Sequence, residues 1–504
     1  MSKADIELRT VVERDATSTI PTHHSLSPYD DTLILQRLGK QPRLNRSFGF
    51  MSILGISCTA LCSWESVLPT SVPTLLVGGT AGVIWALVVN WIGILSPQQR
   101  AGGQCNDSSY HWVAMLAPPS TATFLTYMIA WLTAIAWQAI ATSVGYLIAT
   151  LLQGIVVLAQ PSYVPQAWQT VLLIWATSLF CVLMNSISSQ VLSKFEGFIL
   201  VFHLVGFFCV LIPMVYLAPH NNASDVFTTF SNNGDWPSQG LVFLVGFPTM
   251  ASSLLGADCA VHMSEETVCS YCALAFAIVV ALLFCTTDLD TAVAAADTLF
   301  CPSLQIFQSS LRSTAGAIVL ASIVLVLSVA ASAGIYASAS RMLWSFSRDK
   351  GLPFHQYMIK LSRNSLPINV ILVTYAVTIL LSLIVLGSAV ALQALLSLVN
   401  AALFTSYTLV CGLLLWRRCT GAIRPSNSVT NSEFIDRNAL TWGPWKLPEP
   451  LGVANNIFSC LYSIFTLFYT TNWSVLVFGV LVLLSISWYF IRAKHYFHGP
   501  IKEI

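Results

Sequence analysis

Apolar residues gather into twelve runs along this chain, at 48–68, 75–95, 124–151, 168–188, 198–216, 241–261, 269–285, 317–339, 368–386, 390–415, 454–469 and 473–491. A helix needs roughly 20 apolar residues to cross the hydrocarbon of a bilayer, and most of these runs reach that length. The seventh, of 17 residues, and the eleventh, of 16, stand at the lower limit. Isolated strands would leave backbone groups unpaired in lipid, so each run is expected to be a helix. The first 47 residues are polar and contain no apolar core of a cleavable signal. They are expected to form a disordered cytosolic tail. The expected organisation is a tail at 1–47, a twelve-helix domain at 48–492 and a cytosolic tail at 493–504.

Composition excludes the soluble alternative. Hydrophobic residues make up 55% of the chain and charged residues 9%, against about 25% charged in a soluble protein. The net charge of +1 excludes a nucleic-acid partner recruited by bulk charge. Placement of the cations carries more information. If all twelve runs span, both termini share one side, and that side holds 22 of the 23 Lys and Arg; the other side holds only Arg312. Cytosolic connections attract Lys and Arg, so both termini are expected in the cytosol, with the plasma membrane as the expected location. The outward connection 218–238 contains Asn222-Ala223-Ser224, a glycosylation acceptor on the correct side or a chance occurrence.

The chain has 13 Cys, and Cys58, Cys181, Cys209, Cys285, Cys411 and Cys460 lie inside apolar runs. They read as small apolar filler, as does the Cys269–Cys272 pair. No P-loop, zinc-protease helix, nucleophile elbow or zinc-finger spacing is present, so neither enzymatic activity nor a cofactor or metal is expected. Gly78 and Gly82 have GxxxG spacing, which points to close helix packing.

Two runs are not uniformly apolar. The first contains Gly55-Ile56-Ser57-Cys58-Thr59 and then Ser63-Trp64-Glu65; the sixth contains Pro248 and Leu255-Gly256-Ala257-Asp258. Proline removes a helix donor, glycine permits unwinding, and Asp258 is costly in hydrocarbon unless it faces protein or water. Interrupted helices at corresponding places in two halves point to a transporter substrate site, where free N–H and C=O groups hold a zwitterion. Runs 1–5 (about 48–217) and 6–10 (about 239–416) form two such halves, with runs 11 and 12 (about 454–492) outside them. Five spans is an odd number, so the second half enters from the opposite side and the interrupted helices are antiparallel. Tight helix contact through small residues is the competing explanation.

His203 lies well inside the fifth run, about 13 Å along the helix from Lys194. It reads either as a proton relay or as a neutral imidazole bonded to a neighbouring helix. Trp137 and Gln138 in the third run, and Ser332, Tyr336 and Ser338 in the eighth, are candidates for lining the same cavity or for plain packing.

Several stretches give the chain a family likeness. These are 256–266 (beginning Gly256-Ala257-Asp258-Cys259), 339–353 (containing Arg341-Met342-Leu343-Trp344 and Asp349-Lys350-Gly351), Leu415-Trp416-Arg417-Arg418, 442–452 (containing Trp442-Gly443-Pro444-Trp445) and the closing Gly499-Pro500-Ile501-Lys502-Glu503-Ile504. Together they resemble the fungal amino-acid/choline transporter (GABA permease-like) family of the amino acid–polyamine–organocation superfamily, from about residue 30 onward. The resemblance implies an all-α integral membrane protein with twelve transmembrane helices, a five-plus-five inverted repeat and broken helices 1 and 6. It implies a proton-coupled permease for an amino acid, GABA or choline. It places the substrate against Gly55, Ile56, Ser57, Cys58 and Thr59 and against Leu255, Gly256, Ala257 and Asp258. His203 is similar in position to an ionisable residue on helix 5 that serves proton coupling in some relatives. The alternatives are a choline or other quaternary-amine carrier, and a nutrient sensor or degenerate paralogue on the same fold. The sequence departs from the pattern after run 2, where Cys105-Asn106-Asp107-Ser108-Ser109 separates Gly102-Gly103-Gln104 from Tyr110-His111-Trp112, and after Glu265-Glu266, where a basic connection is missing.

Overall fold

A computed structural model of the chain describes residues 55, 62–98, 109–232, 236–255, 264–362, 364–388, 391–424, 440–441, 447–470 and 474–500. The helices are α1 Ser63–Thr70, α2 Val72–Gln98, α3 Ser109–Leu116, α4 Ala122–Ala159, α5 Ala167–Ile187, α6 Ser189–Leu217, α7 Ala223–Thr228, α8 Gln239–Ser252 and α9 Ser264–Phe284. They continue with α10 Leu289–Leu299, α11 Pro302–Leu311, α12 Thr314–Arg348, α13 His355–Met358, α14 Ile368–Ser382, α15 Ile384–Gly387, α16 Ala391–Cys419, α17 Glu449–Thr470 and α18 Ser474–Ile491. A two-residue parallel ladder, β1 Ile423–Arg424 with β2 Leu440–Thr441, is the single departure from helix and loop among the described residues. The protein is an all-α membrane protein.

Eight described helical stretches are long and apolar enough to cross a bilayer: those of α2, α4, α5, α6, α12, α16 and α17, and Ile368–Gly387, which joins α14 to α15. The end of α9 and α10 make a ninth if that pair, bent by 112°, is one span. Two shorter apolar helices, α8 and the Leu476–Ile491 part of α18, coincide with the sixth and twelfth runs. Most of the first run lies outside the described residues.

Helix α6 shows how the interior is chosen. Leu192, Glu196, Ile199, His203, Phe207, Val210 and Met214 are all buried, at spacings of three and four. This is one face of a helix. Val201, Leu204, Val205, Phe208 and Ile212 on the other face are exposed, as a lipid-facing surface requires. The same periodicity carries both ionisable groups of the buried face, Glu196 and His203, inward.

Gly78 and Gly82 do not make the close helix contact that their spacing suggested. Among the described residues nothing lies within 4 Å of a Cβ built on Gly78, and only the Thr74 carbonyl at 4.0 Å approaches one on Gly82. The glycine that matters is Gly79, which kinks α2 with φ 70° and ψ −166°. The connection after α7 fits into the kink: the Ser231 N–H donates to the Gly78 carbonyl at 3.4 Å, and the Ala81 N–H donates to the Thr229 carbonyl at 3.3 Å.

On another face, Arg417 near the end of α16 donates from Nε to the Leu116 carbonyl at 2.8 Å and from Nη2 to the Ala117 carbonyl at 3.2 Å. A cation on the last carbonyls of α3 satisfies orphan acceptors and suits the helix dipole. The Tyr110 hydroxyl donates to Asp349 Oδ2 at 2.9 Å, and both residues are fully buried. In the segment after α18, Phe497 is fully buried, with its ring 5.2 Å from that of Tyr127.

Candidate functional site

Both non-uniform runs leave helical geometry within the described residues. Cys62, immediately before α1, is left-handed at φ 41° and ψ 39°, an uncommon conformation for a residue with a side chain. Gly55 is helical and buried, and a Cβ on it would stand 2.6 Å from the Glu196 carbonyl oxygen. Ile56, Ser57, Cys58 and Thr59 lie outside the described residues. In the sixth run α8 stops at Ser252 although apolar residues continue to 261, and Ser253–Leu255 form a turn. Gly256, Ala257 and Asp258 lie outside the described residues. The Ser66 hydroxyl donates to the Ser253 carbonyl at 3.4 Å and ties the two segments together.

Side chains from α2 and α16 reinforce the end of α8. Thr74 of α2 donates to the Gly246 carbonyl at 2.7 Å. Asn90 of α2 donates from Nδ2 to the Phe247 carbonyl at 3.0 Å, and its Oδ1 accepts from the Tyr462 hydroxyl of α17 at 2.7 Å. Asn400 of α16 donates from Nδ2 to the Pro248 carbonyl at 3.1 Å, and its Oδ1 accepts from the Ser252 hydroxyl at 3.0 Å. Three successive carbonyls thus receive side-chain donors. Sequence reasoning missed Thr74, Asn90 and Asn400; the available signal was an amide inside an otherwise apolar run.

A cavity of about 110 Å³ opens between the segments, bounded by Cys62, Glu65 and Ser66 on one side and Ser252, Ser253 and Leu255 on the other. Ser328 and Ile335 of α12 also line it. A second cavity, of about 380 Å³, shares Pro69, Leu147, Leu151, Ser252 and Cys301 with the first and extends past Thr249 and Asn400. Leu255 is therefore the one expected substrate contact among the described residues that reaches the space between the segments.

Trp137, Gln138 and Tyr336 are buried but line neither cavity. Gln138 Nε2 donates to Thr374 Oγ1 at 3.3 Å, and the Tyr336 hydroxyl donates to Thr378 Oγ1 at 2.8 Å. Both side chains join α14 to the core. Ser332 and Ser338 return their hydroxyls to backbone carbonyls of their own helix, Val329 and Gly334.

His203 does face the site, through a partner that sequence reasoning left unassigned. Its Nδ1 lies 2.6 Å from Glu65 Oε1, and each residue is only 1% exposed. The Trp64 ring stands 5.7 Å from the imidazole, and Phe207 packs edge-on against Trp64. Glu65 lines the smaller cavity and His203 does not, so the carboxylate separates the imidazole from the cavity. Asn222 is exposed at the N-cap of α7, with its amide 3.5 Å from Asp225 Oδ2. No group of three or more His, Cys, Asp and Glu able to hold a metal occurs among the described residues.

Comparison with known proteins agrees with this architecture. The amino acid permease family matches residues 44–493. The choline transporter of Saccharomyces cerevisiae is 28% identical over 391 residues, covering 72% of this chain and 68% of that protein. An uncharacterized amino-acid permease of Schizosaccharomyces pombe is 23% identical over 100% of this chain and 94% of its own length. Amino-acid permease BAT1 of Arabidopsis thaliana is 24% identical over 93% of this chain and 96% of its own length. With a match that runs through nearly all of its helical segments, the chain belongs to the amino acid permease family and is a membrane transporter.

Proposed function

We propose that the protein is a secondary active permease for an amino acid or a related amine such as GABA, working by proton symport with alternating access. The twelve apolar runs are its spans, both termini are cytosolic, and the plasma membrane is its location. Substrate binds between the interrupted segments of helices 1 and 6, against residues 55–59 and 255–258. Exposed peptide groups there hold its charged ends. His203 carries the coupled proton, and Asn222 bears a glycan.

The observation that supports this reading is the cavity that Cys62, Glu65 and Ser66 share with Ser252, Ser253 and Leu255, residues of the first and sixth runs. Radiolabelled uptake in cells lacking native permeases tests it, with GABA, neutral and basic amino acids, and choline as substrates. Uptake should rise as external pH falls, and His203→Ala should flatten that response. Surface expression with no uptake of any substrate would reject the permease reading. A choline or other quaternary-amine carrier is the second reading, favoured by the similarity to the yeast choline transporter; uptake of choline alone would establish it.

A further inference from the structure

We propose that Glu65 is the carboxylate that recognises the substrate's amine, a reading that rests on the permease assignment above and names the chemistry of its site. Three observations converge on it. Glu65 is 1% exposed and lines the cavity between the interrupted segments. Its Oε1 faces His203 Nδ1 at 2.6 Å, its Oε2 is buried as well, and the Cys62 thiol is the neighbouring donor to the carboxylate. The rest of the lining offers Ser66, Ser252, Ser253, Ser303 and Ser328 hydroxyls, two thiols and apolar side chains. Glu65 is therefore the single charged group lining the smaller cavity among the described residues. A buried carboxylate on the wall of an apolar cavity is costly unless its charge is matched, and an ammonium or a quaternary nitrogen offsets that cost directly.

Charge balance adds a consequence. With one proton shared between Glu65 and His203, the pair sums to zero, and a zwitterion enters a site that stays neutral. A permanent cation leaves the site neutral only if that proton departs, and uncompensated buried charge is strongly disfavoured. Zwitterions therefore travel with the proton, and fixed cations travel in its place. The surroundings leave this balance to the pair. The Cys62 thiol lies beside the carboxylate. Cys181 of α5, Cys272 of α9 and Tyr336 of α12 are buried thiols and a phenol on helices packed around the pair. Glu196 lies about two helical turns before His203, where it is within electrostatic reach of Arg341. Lys194 is further still along α6, and Arg348 is at the far end of α12.

The test uses the full chain and whichever substrate of the uptake panel the wild type transports. Glu65→Gln should raise KM for that amine about tenfold to a hundredfold, the weight of one charge-assisted hydrogen bond. Inhibition by the deaminated analogue, butyrate for GABA or dimethylbutanol for choline, should stay nearly constant, whereas a purely structural defect weakens both. An unchanged KM, or an equal loss for amine and analogue, overturns the assignment. If Glu65→Gln does not reach the surface, Glu65→Asp carries the test, with a raised KM for the amine alone expected and equal effects overturning it. If the wild type transports nothing in the panel, the permease reading fails by itself. The Glu65 assignment is then read from thermal unfolding of the purified protein. Stabilisation by choline over dimethylbutanol that Glu65→Gln removes supports it, and equal wild-type responses overturn it.

Discussion

Two adjacent glycines should respond to alanine in opposite directions. Gly79 has φ 70° and ψ −166°, a region open almost only to glycine, and occupying it with a side chain costs on the order of 1–3 kcal/mol. A Cβ there would also stand 2.9 Å from both the N and the Oγ of Ser231, and such overpacking adds about 1–3 kcal/mol. Gly79→Ala should therefore destabilise the protein by about 2–6 kcal/mol. At Gly78 nothing described lies within 4 Å of the added methyl. Gly78→Ala removes unfolded-chain entropy and should stabilise by about 0.4–1 kcal/mol. Thermal unfolding of both purified variants beside the wild type is the assay. The wild type should melt between them, with Gly79→Ala well below. A Gly78→Ala protein less stable than Gly79→Ala, or two equal shifts, would refute the assignment of the kink to Gly79.

Asn400→Leu removes the bonds to the Pro248 carbonyl and from the Ser252 hydroxyl. At about 0.6–1.7 kcal/mol for each polar contact in a membrane interior, it should cost about 1–3 kcal/mol and raise KM, because Ser252 lines both cavities; wild-type stability and KM would discard the role. Arg417→Ala should fray the end of α3, read as faster amide exchange at 113–117, and Arg417→Lys should not rescue it because one ammonium cannot reproduce the guanidinium fork. Asp288 caps α10 by accepting from the Thr291 N–H at 3.1 Å, and the Thr291 hydroxyl and backbone N–H hold its carboxyl below the usual range. A depressed carboxylate contributes stability above its unfolded value of about 3.9 and loses it as pH falls through the folded value. The protection factors of the α10 amides should therefore stay even from pH 5 to 8 and fall only in stronger acid, and Asp288→Asn should abolish that acid step.

Apolar length was readable because lipid imposes it on each helix separately. The runs at 75–95, 124–151 and 317–339 all lie within helices. The interior face was not readable in the same way. In α6 the buried Phe207 and the exposed Phe208 are chemically alike, since a lipid-facing surface is as apolar as the core. His203 stood out because an ionisable group in a span needs a reason. Its partner Glu65 did not, because the pairing joins residues 138 positions apart through packing that no local pattern encodes. Gln138 and Tyr336 stayed open between cavity lining and packing for a related cause. Helical spacing gives the face on which a side chain sits, but not which neighbouring helix meets that face, and here it is α14. The amides Asn90 and Asn400 looked like isolated polar residues until the carbonyls at the end of α8 were seen beside them.

The segment at 221–231 is a staple rather than a tether. One end is fastened to the close of α9 by the Asn221 N–H on the Phe284 carbonyl at 2.8 Å, and the other sits in the bend of α2, where Trp85 Nε1 also donates to the Phe227 carbonyl at 3.1 Å. Helices α2 and α9 therefore share one clip. A load placed anywhere on that clip is shared by both helices.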